Sequence, residues 1–371
     1  MLHALAIAIA LLATALGGPA RAEVLIGVAG PITGRETWFG EQMERGAQLA
    51  VADFNAAGGV LGQQVRLIVA DDFCDPEQAV AAAKKLVSDG VVFVVGHFCS
   101  GASIPASAIY EAAKVLMISP GSSNPMLTEL GRANVFRLEN RDDAVARLIG
   151  DYLAERWSGK RIAILYDNST WGAWIAPEIK SILNSRGLTE AMYRTFVPKG
   201  TDYSEEIAEL QAAQIDVAFI GGYPSELALM ARQARERGYP VQLLTGQSLG
   251  TEEFHLIAGP AAEGVLYTDP PDPRSRAEAA PAVERFRAAG YEPEGKTLYA
   301  YAAVQIWAEA PEKAGSLELE PMIAVLREHQ FDTVLGPVDF DDKGDLAVQN
   351  PIWWIWRGGT YMPMEEVAAN E

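Results

Sequence analysis

The sequence predicts an α/β protein built from two successive doubly wound domains, each a parallel β-sheet with helices on both faces. Strand-like and helix-like segments alternate along most of the 371 residues. The strand-like segments are apolar with little alternation, as expected of parallel strands that are covered on both faces. The alternation restarts after about residue 141, so two βαβ series follow one another and two domains are expected.

The first series contains five predicted strands with helices between them. The predicted strands are the apolar segments 24–30, 64–71, 91–96, 115–120 and 135–138. The predicted helices lie around residues 39–57, 76–88 and 103–113. These elements make up the first of the two predicted sheets and its cover.

The second series repeats this pattern, and the tail of the chain departs from it. The predicted strands of the second series are segments 161–167, 192–197, 217–223, 241–247 and 265–269. In the tail, we predict an apolar helix at 297–310 and a late strand at 351–356. The two halves share an architecture but no obvious sequence repeat.

The first 22 residues have the features of a secretory signal peptide. The apolar core from Ala4 to Leu16 is too short to cross a bilayer, and Ala20-Arg21-Ala22 has the small–x–small form of a cleavage site. No Lys or Arg precedes the core, so a membrane anchor or a misplaced start codon is the alternative. We predict export with cleavage after Ala22, and no later segment reaches the ~18 apolar residues of a membrane span.

The charge and size of the chain limit the function classes that fit. The formal net charge is −19, and residues 1–22 carry only the charge of Arg21, so residues 23–371 carry −20. Such an acidic surface argues against nucleic acid or an anionic membrane as a partner. Hydrophobic residues make up 49% of the chain, which is enough material for the cores of two domains.

The two cysteines, Cys74 and Cys99, bear on both compartment and chemistry. In an exported protein, two cysteines first indicate one disulfide, which stabilises the fold by ~3 kcal/mol in a chain-entropy argument. The competing interpretation is a nucleophilic Cys99 with His97 as its base. That pair would need a free thiolate, which a second cysteine in an exported protein disfavours.

Other catalytic and metal-binding patterns are missing from the sequence. It contains no G-x-S-x-G, P-loop or G-x-G-x-x-G motif, and its four histidines are scattered without a zinc-binding pattern. Asp71 and Asp72 follow a predicted strand, where such a pair is more often a cap or hydrogen-bond partner than a metal site. We therefore predict a protein that is not an enzyme and has no cofactor and no metal.

Polar residues at two predicted strand ends indicate a binding site instead. Ligands of open parallel sheets lie beyond the carboxyl ends of the strands. Ser100 and Ser103 stand where a helix should begin, and the free N–H groups of a helix start attract anions. Ser122, Ser123 and Asn124 lie on the next strand-end loop. The alternative is that Ser100 or Ser103 only caps its helix.

Two aromatic residues of the second half, Trp171 and Tyr223, also follow predicted strands. If the two sheets face each other across a cleft, these rings would lie opposite the serines. The alternative is that they are ordinary core or surface aromatics. From the residues alone, a ligand cradle and a purely structural role both remain open.

Six segments of the chain together resemble one family of binding proteins. They are D-D-F-C-D-P-E-Q-A-V (71–80), V-V-G-H-F-C-S-G-A-S-I-P-A-S (94–107), S-P-G-S-S-N-P-M-L-T (119–128), G-G-Y (221–223), I-A-G-P-A-A-E-G (257–264) and F-D-D-K-G-D (340–345). Their order and spacing resemble those of the branched-chain amino-acid-binding proteins of ABC transporters, the leucine/isoleucine/valine group of the type I periplasmic binding proteins. The resemblance covers essentially all of residues 23–371.

The resemblance implies both a fold and a function. The fold would be two doubly wound lobes joined by a three-strand hinge, with residues 23–141 and 270–347 in lobe 1 and residues 142–269 and 348–371 in lobe 2. The function would be that of a monomeric periplasmic receptor that binds a branched-chain or other small amino acid and delivers it to ABC permease and ATPase subunits. A ligand sensor with the same fold is the second possibility.

The resemblance also implies site residues. Cys74 and Cys99 match the disulfide beside the family's ligand site, and Ser100 matches the serine that receives the α-carboxylate. Gly121 and Ser123 match positions that help to hold the amino and carboxylate groups. The predicted ligand-binding residues are Phe39, Phe98, Cys99, Ser100, Gly121, Ser122, Ser123, Trp171, Tyr223, Gln247 and Tyr301.

One of these residues, Gln247, departs from the family pattern. The amino-acid binders carry an acid there, facing the ligand ammonium, and a cation enclosed in a cleft needs a partner. One possibility is that Glu226, Asp142 or Asp143 supplies the charge. The other is that the ligand has no ammonium group and is a small carboxylate, an aromatic acid or an amide. Phe39 and Trp171, at tyrosine positions of the family, make the predicted cleft more apolar.

Overall fold

The N-terminal part of the chain forms a five-stranded parallel sheet in the computed structural model, which describes residues 23–198 and 200–365. The predicted signal peptide, residues 1–22, lies outside these ranges. The strands are β1 (Val24–Gly30), β2 (Val65–Asp71), β3 (Phe93–Gly96), β4 (Leu116–Ser119) and β5 (Val135–Arg137). They lie in the order β2-β1-β3-β4-β5, and every neighbouring pair is parallel. The helices between them are α1 (Thr37–Ala56), α2 (Pro76–Ser88), α3 (Ser100–Ala113) and α4 (Met126–Glu129).

The second βαβ series begins directly after this sheet. Its helices are α5 (Asp142–Arg156), α6 (Gly172–Ser185), α7 (Ser204–Ala212), α8 (Pro224–Glu236) and α9 (Glu252–Ala258). Its strands are β6 (Ile162–Tyr166), β7 (Met192–Thr195), β8 (Val217–Gly221), β9 (Gln242–Leu244) and β10 (Leu266–Asp269). Ile162 and Ile164 belong to one buried cluster, whereas Ala163 and Leu165 belong to another. Successive residues of a strand point to opposite faces, so this sheet is covered on both faces, as the apolar runs predict.

The tail of the chain visits both sheets. Helices α10 (Ala280–Ala288), α11 (Thr297–Ala314) and α12 (Leu319–Glu328), with the hairpin β11 (Phe331–Thr333) and β12 (Gly336–Val338), pack into the core of the first sheet. Strands β13 (Ile352–Arg357) and β14 (Thr360–Pro363) then extend the second sheet, which has the order β14-β13-β10-β9-β8-β6-β7. The chain therefore passes three times between two lobes, each built on one sheet.

The predicted and observed elements differ mainly at short segments. The hairpin of β11 and β12 and the edge strand β14 were not predicted, because their sequences F-D-T, G-P-V and T-Y-M-P are interrupted by Asp, Pro, Gly or Thr and form no continuous apolar run. Helix α3 begins at Ser100, three residues before the predicted start. Of the helices in the described part of the chain, none is long and apolar enough to cross a membrane.

Candidate functional site

The start of α3 supplies one wall of the candidate site. Cys99 is the residue before the helix and makes no side-chain cap, and its carbonyl accepts hydrogen bonds from the N–H groups of Ala102 and Ser103 (2.9 Å each). The N–H groups of Ser100 and Gly101 belong to the first turn of the helix, where no earlier helical carbonyl can accept from them, so they point out of the helix start. The Ser100 hydroxyl accepts a hydrogen bond from the Asn124 N–H (3.3 Å). Neither serine caps the helix, so the capping alternative is wrong.

A disulfide and a buried histidine fix the loop that leads into α3. Cys74 and Cys99 are bonded, with their Cα atoms 5.4 Å apart, so the predicted disulfide is confirmed and Cys99 is not a free nucleophile. The His97 ring lies between Asp72 (Nδ1–Oδ2, 2.6 Å) and the Tyr110 hydroxyl (Nε2–Oη, 3.0 Å), and all three side chains are buried. Asp72 also accepts a hydrogen bond from the Cys74 N–H (2.8 Å). His97 is therefore a structural residue that connects the two loops.

The loop after β4 lies beside the start of α3. Ser122 is fully buried, and its hydroxyl contacts Ser103 and the carbonyls of His97 (3.2 Å) and Phe98 (3.0 Å). A Cβ atom at Gly121 would lie 2.5 Å from the Phe98 ring, so only glycine allows the loop to pack this closely. The result is that Gly121 and Ser123, rather than Ser122, line the space next to Ser100.

Aromatic residues of the second lobe form the opposite wall. Trp171 precedes α6, and its indole Nε1 donates to Asp142 Oδ1 (2.9 Å). Tyr223 precedes α8, and its hydroxyl lies 3.5 Å from Cys74 Sγ. The centroid of the Tyr223 ring is 6.5 Å from those of both Phe98 and Trp171. Burial raises the pKa of Tyr223 well above its usual value, and Asp167 raises it further, so the phenol stays neutral.

These elements surround a cavity between the lobes that is partly open to solvent. Among the described residues that line it, none carries a charge. A second cavity lies beside Ser248, but the lysine and the arginine that line it are already paired with acids. The candidate site is lined by Phe98, Cys99, Ser100, Gly121, Ser123, Trp171, Gly222, Tyr223, Pro224, Gln247 and Ser248.

Three predicted site residues do not line this cavity. Phe39 is fully buried behind Phe98, with the two rings stacked at 4.0 Å, so it supports the wall without reaching the ligand space. Ser122 is turned into the loop, as described above. Tyr301 lies on α11, which packs on α1, and its hydroxyl donates to Asp53 Oδ2 (2.6 Å). This bond directs Tyr301 to the α1–α11 contact and not to the cavity.

The three acids considered as substitutes for the family's carboxylate, Glu226, Asp142 and Asp143, do not line the cavity either. Glu226 accepts a hydrogen bond from the Tyr223 N–H (2.9 Å) and pairs with Arg35 (3.3 Å). Asp143 forms an exposed pair with Arg141 (2.8 Å). Asp142 is buried behind Trp171, and burial raises its pKa to about 7 against the opposing effect of Ser123 and Trp171. The polar side chains that the second lobe contributes to the cavity, those of Tyr223, Gln247 and Ser248 among them, therefore carry no formal charge.

Three lining residues, Gly222, Pro224 and Ser248, were not among the predicted ligand-binding residues. They directly flank Tyr223 and Gln247 in strand-end loops, where the strand-end rule does point to them. Glu139, which contacts Gln247, carried no sequence signal because it stands in the connection between the lobes. Among the described residues, no group of three or more His, Cys, Asp or Glu side chains could hold a metal ion.

Several hydrogen bonds cross between the lobes near the cavity. Asn124 Nδ2 donates to the Thr170 carbonyl (3.0 Å). The guanidinium of Arg35 contacts the Gly200 carbonyl (3.0 and 3.1 Å) and Glu226 (3.3 Å). These contacts hold the two lobes together over the cavity in this structure.

The structure has two α/β lobes around a small cavity, with a helix start on one side and aromatic rings on the other. This arrangement defines a two-lobed ligand-binding protein. The chain belongs to the periplasmic binding protein family, whose sequence profile matches residues 23–356. The Leu/Ile/Val-binding protein homolog 2 of Brucella abortus is 42% identical over 346 residues, which are 93% of each chain. The leucine-, isoleucine-, valine-, threonine- and alanine-binding protein of Pseudomonas aeruginosa is 38% identical over 87% of each chain.

Solved structures confirm the predicted type I periplasmic binding protein fold. A leucine-binding protein from Thermotoga maritima is 26% identical with a TM-score of 0.83, over 92% of this chain and 97% of that one. A branched-chain amino acid transporter substrate-binding protein from Streptococcus pneumoniae, in complex with isoleucine, is 25% identical with a TM-score of 0.82, over 92% and 98%. A solute-binding protein from R. palustris, in complex with benzoate, is 20% identical with a TM-score of 0.82, over 92% and 96%, and shares the fold.

Proposed function

We propose that this chain is the solute-binding receptor of an ABC importer and that it binds a small α-amino acid in the cavity between the lobes. The observation that carries this proposal is the position of Ser100 and Ser123 opposite the rings of Trp171 and Tyr223. One side of the cavity offers hydrogen-bond donors, and the other offers apolar surface. An α-amino acid with an apolar side chain has the matching two ends.

The carboxylate of the ligand lies at the start of α3 in this proposal. The N–H groups of the first helical turn and the helix dipole attract an anion there. The hydroxyls of Ser100 and Ser123 add donors without adding charge, so the carboxylate is neutralised by dipoles and hydrogen bonds rather than by an ion pair. The disulfide holds this cradle in place from behind.

The side chain of the ligand packs against Phe98, Trp171 and Tyr223. Burial of apolar surface contributes roughly 25 cal/mol per Å², so a branched aliphatic group gains a few kcal/mol from such a wall. The relatives named above for leucine, isoleucine and valine have ligands of this size. Their similarity over most of the chain supports the same ligand class here.

The remaining parts of the function follow from the class of the protein. The receptor acts as a monomer in the periplasm, has no catalytic step, and presents its ligand to permease and ATPase subunits when the lobes are closed. Hinge motion at the three connections between the lobes opens and closes the cavity. We place these connections at the lobe boundaries predicted from the sequence.

Mass spectrometry of small molecules released from the purified, denatured protein tests this function. We expect an aliphatic α-amino acid at a stoichiometry near one, and calorimetry should then show micromolar or tighter binding of the same compound to the stripped protein. If the released compound is not an amino acid and no aliphatic amino acid binds, the proposed ligand class is wrong.

A small aromatic carboxylate is the second candidate ligand. The three rings of Phe98, Trp171 and Tyr223 around one cavity suit a flat aromatic body, and the same helix start would hold its carboxylate. Benzoate in the calorimetry series distinguishes this candidate, because it offers the carboxylate and the ring without an amino group.

A further inference from the structure

The orientation of the Gln247 amide is fixed by two acceptors outside the cavity. Its Nε2 donates to Glu139 Oε1 (3.1 Å) and to the Asn140 carbonyl (3.2 Å). A carboxylate and a carbonyl only accept hydrogen bonds, so the NH2 group, and not the oxygen, must face them. Oε1 is the remaining polar atom of a side chain that lines the cavity, and it is the atom available to a ligand.

Glu139 is itself held in place by a buried lysine. Lys296 Nζ donates to the second carboxylate oxygen of Glu139, and both side chains are almost fully buried. Burial lowers the pKa of Lys296, but Glu139 and Asp269 raise it by more, so the lysine stays charged. Asp269 in turn accepts a hydrogen bond from the Ser248 N–H (3.0 Å). The segment of Gln247 and Ser248 is thus tied to a charge cluster of the buried Glu139 and Lys296 and the partly buried Asp269.

We propose that Glu139 is a specificity-determining positioning residue, which holds the Gln247 amide so that only its carbonyl oxygen faces the ligand. The site then demands an N–H donor next to the ligand carboxylate and disfavours compounds that lack one. Since the acceptor is neutral, the requirement is for a donor and not for a positive charge. This inference rests on the proposed function and specifies which small carboxylates the same site accepts.

The same geometry changes the expected effect of restoring the family's acid. From the sequence alone, Gln247→Glu should improve amino-acid binding. In the structure, a glutamate at this position would place its carboxylate against that of Glu139. Two carboxylates at hydrogen-bond distance repel, and the pKa of one of them rises. The gain should therefore appear only when Glu139 is neutralised as well.

The test compares leucine with 4-methylpentanoate, the same molecule without its amino group, by calorimetry on the full-length mature protein. We expect the unmodified protein to bind leucine about 5- to 150-fold tighter, because one unmade hydrogen bond to a buried acceptor costs roughly 1–3 kcal/mol. In Glu139→Gln, Lys296 donates to the amide oxygen of the new side chain, so the NH2 group of that side chain faces Gln247. The Gln247 amide then turns over, and the preference for leucine should fall to about threefold or less.

Two further variants keep the test independent of folding defects. Gln247→Leu removes the amide and its hydrogen bond to Glu139 but keeps both members of the ion pair of Glu139 and Lys296, and it should abolish the preference for leucine. The double variant Glu139→Gln/Gln247→Glu keeps the net charge and should bind leucine more tightly than either single variant.

As a control, Glu226→Gln changes another buried acid between the lobes, and it should alter the affinity for both compounds while leaving their ratio unchanged.

The outcomes separate this inference from the proposed function. If the folded, unmodified protein binds neither compound, the amino-acid receptor itself is wrong and the inference fails with it. If it binds both equally well, or if Glu139→Gln and Gln247→Leu keep the preference for leucine, the receptor stands and the role of Glu139 is refuted. A loss of preference in both variants, with recovery in the double variant, supports it.

Discussion

Ser100 and Ser103 show how two serines of one helix turn take different roles. The Ser100 side chain faces the cavity and accepts a hydrogen bond from the Asn124 N–H (3.3 Å). The Ser103 hydroxyl is fully buried against that of Ser122. At the residue scale, the first serine should matter for the ligand and the second for the packing of the loop after β4.

Ser100→Ala should weaken binding of the natural ligand by ~1–3 kcal/mol, because a charged carboxylate loses a hydrogen bond. The thermal stability of the Ser100→Ala protein should barely change. Ser103→Ala is the matched control and should lower stability while affinity stays near that of the unmodified protein. Calorimetry and thermal unfolding of both variants check this. An unchanged affinity of Ser100→Ala would refute the carboxylate cradle.

Asp142 should make the stability of the protein depend on pH. Burial raises its pKa from 3.8 to about 7 in the folded state, so in that range the folded protein holds a proton that the unfolded chain has released. The stability from this group is fully present below the unfolded pKa and is lost as pH rises through the folded pKa, with a slope of ~1.4 kcal/mol per pH unit.

Asp142→Asn should remove this slope, so the variant gains stability relative to the unmodified protein as pH rises from about 4 to about 7. Denaturant unfolding across this range measures the difference. Asp143→Asn is the control, because burial raises the pKa of Asp143 but Arg141 lowers it by more. Relative to the unmodified protein, Asp143→Asn should instead be less stable above the usual carboxyl pKa, and this difference should disappear as pH falls below that value. Parallel pH profiles for Asp142→Asn and the unmodified protein would contradict the assignment.

At the scale of elements, the contact between α1 and α11 ties the tail of the chain to the first lobe. The two helices approach so closely at Gly46 that a Cβ atom there would lie 2.1 Å from the Thr297 carbonyl oxygen. Tyr301 and Asp53 join the same two helices by a hydrogen bond (2.6 Å). This packing, rather than helix propensity, accounts for a glycine in the middle of a 20-residue helix.

Gly46→Ala should therefore destabilise the protein by ~1–3 kcal/mol through overpacking, although alanine is the better helix former by about 1 kcal/mol. Gln48→Ala, an exposed position of the same helix, is the control and should change stability by no more than about 0.5 kcal/mol. Denaturant unfolding of both variants measures the effect. A stabilised Gly46→Ala protein would show that the α1–α11 contact adjusts freely.

At the scale of the whole molecule, a small set of polar contacts holds the two lobes in the closed arrangement. Arg35 of the first lobe reaches Glu226 and the Gly200 carbonyl of the second, and Asn124 reaches Thr170. Because these groups contribute to the energy of the closed state, they should affect ligand affinity without touching the ligand.

Arg35→Ala should lower ligand affinity by roughly 5- to 30-fold, since ~1–2 kcal/mol of closure energy is lost. Small-angle scattering should show a larger radius of gyration for the variant at a ligand concentration that closes the unmodified protein. Arg66→Ala is the control, because Arg66 pairs only with the exposed Glu23 of the same lobe among the contacts described (2.9 Å). An effect of equal size in both variants would mean that the loss of positive charge, and not closure, is responsible.

Local pattern was sufficient for much of the fold and of the site. The apolar runs located the strands because a parallel strand covered on both faces must be apolar at nearly every position. Eight of the predicted site residues line the cavity, because the carboxyl ends of parallel strands meet at one edge of a sheet. The disulfide between Cys74 and Cys99 was predicted from the number of cysteines and the expected export.

Tertiary structure alone decided where the side chains point and what stands behind them. Phe39 and Tyr301 carry the right chemistry for a pocket, but packing on Phe98 and a hydrogen bond to Asp53 turn them away from it. Gln247 lacks the expected charge in sequence, yet Glu139, 108 positions away in the chain, decides which atom of its amide meets the ligand. Such orientations depend on contacts between residues that are distant in sequence, and a local pattern of residue types does not encode them.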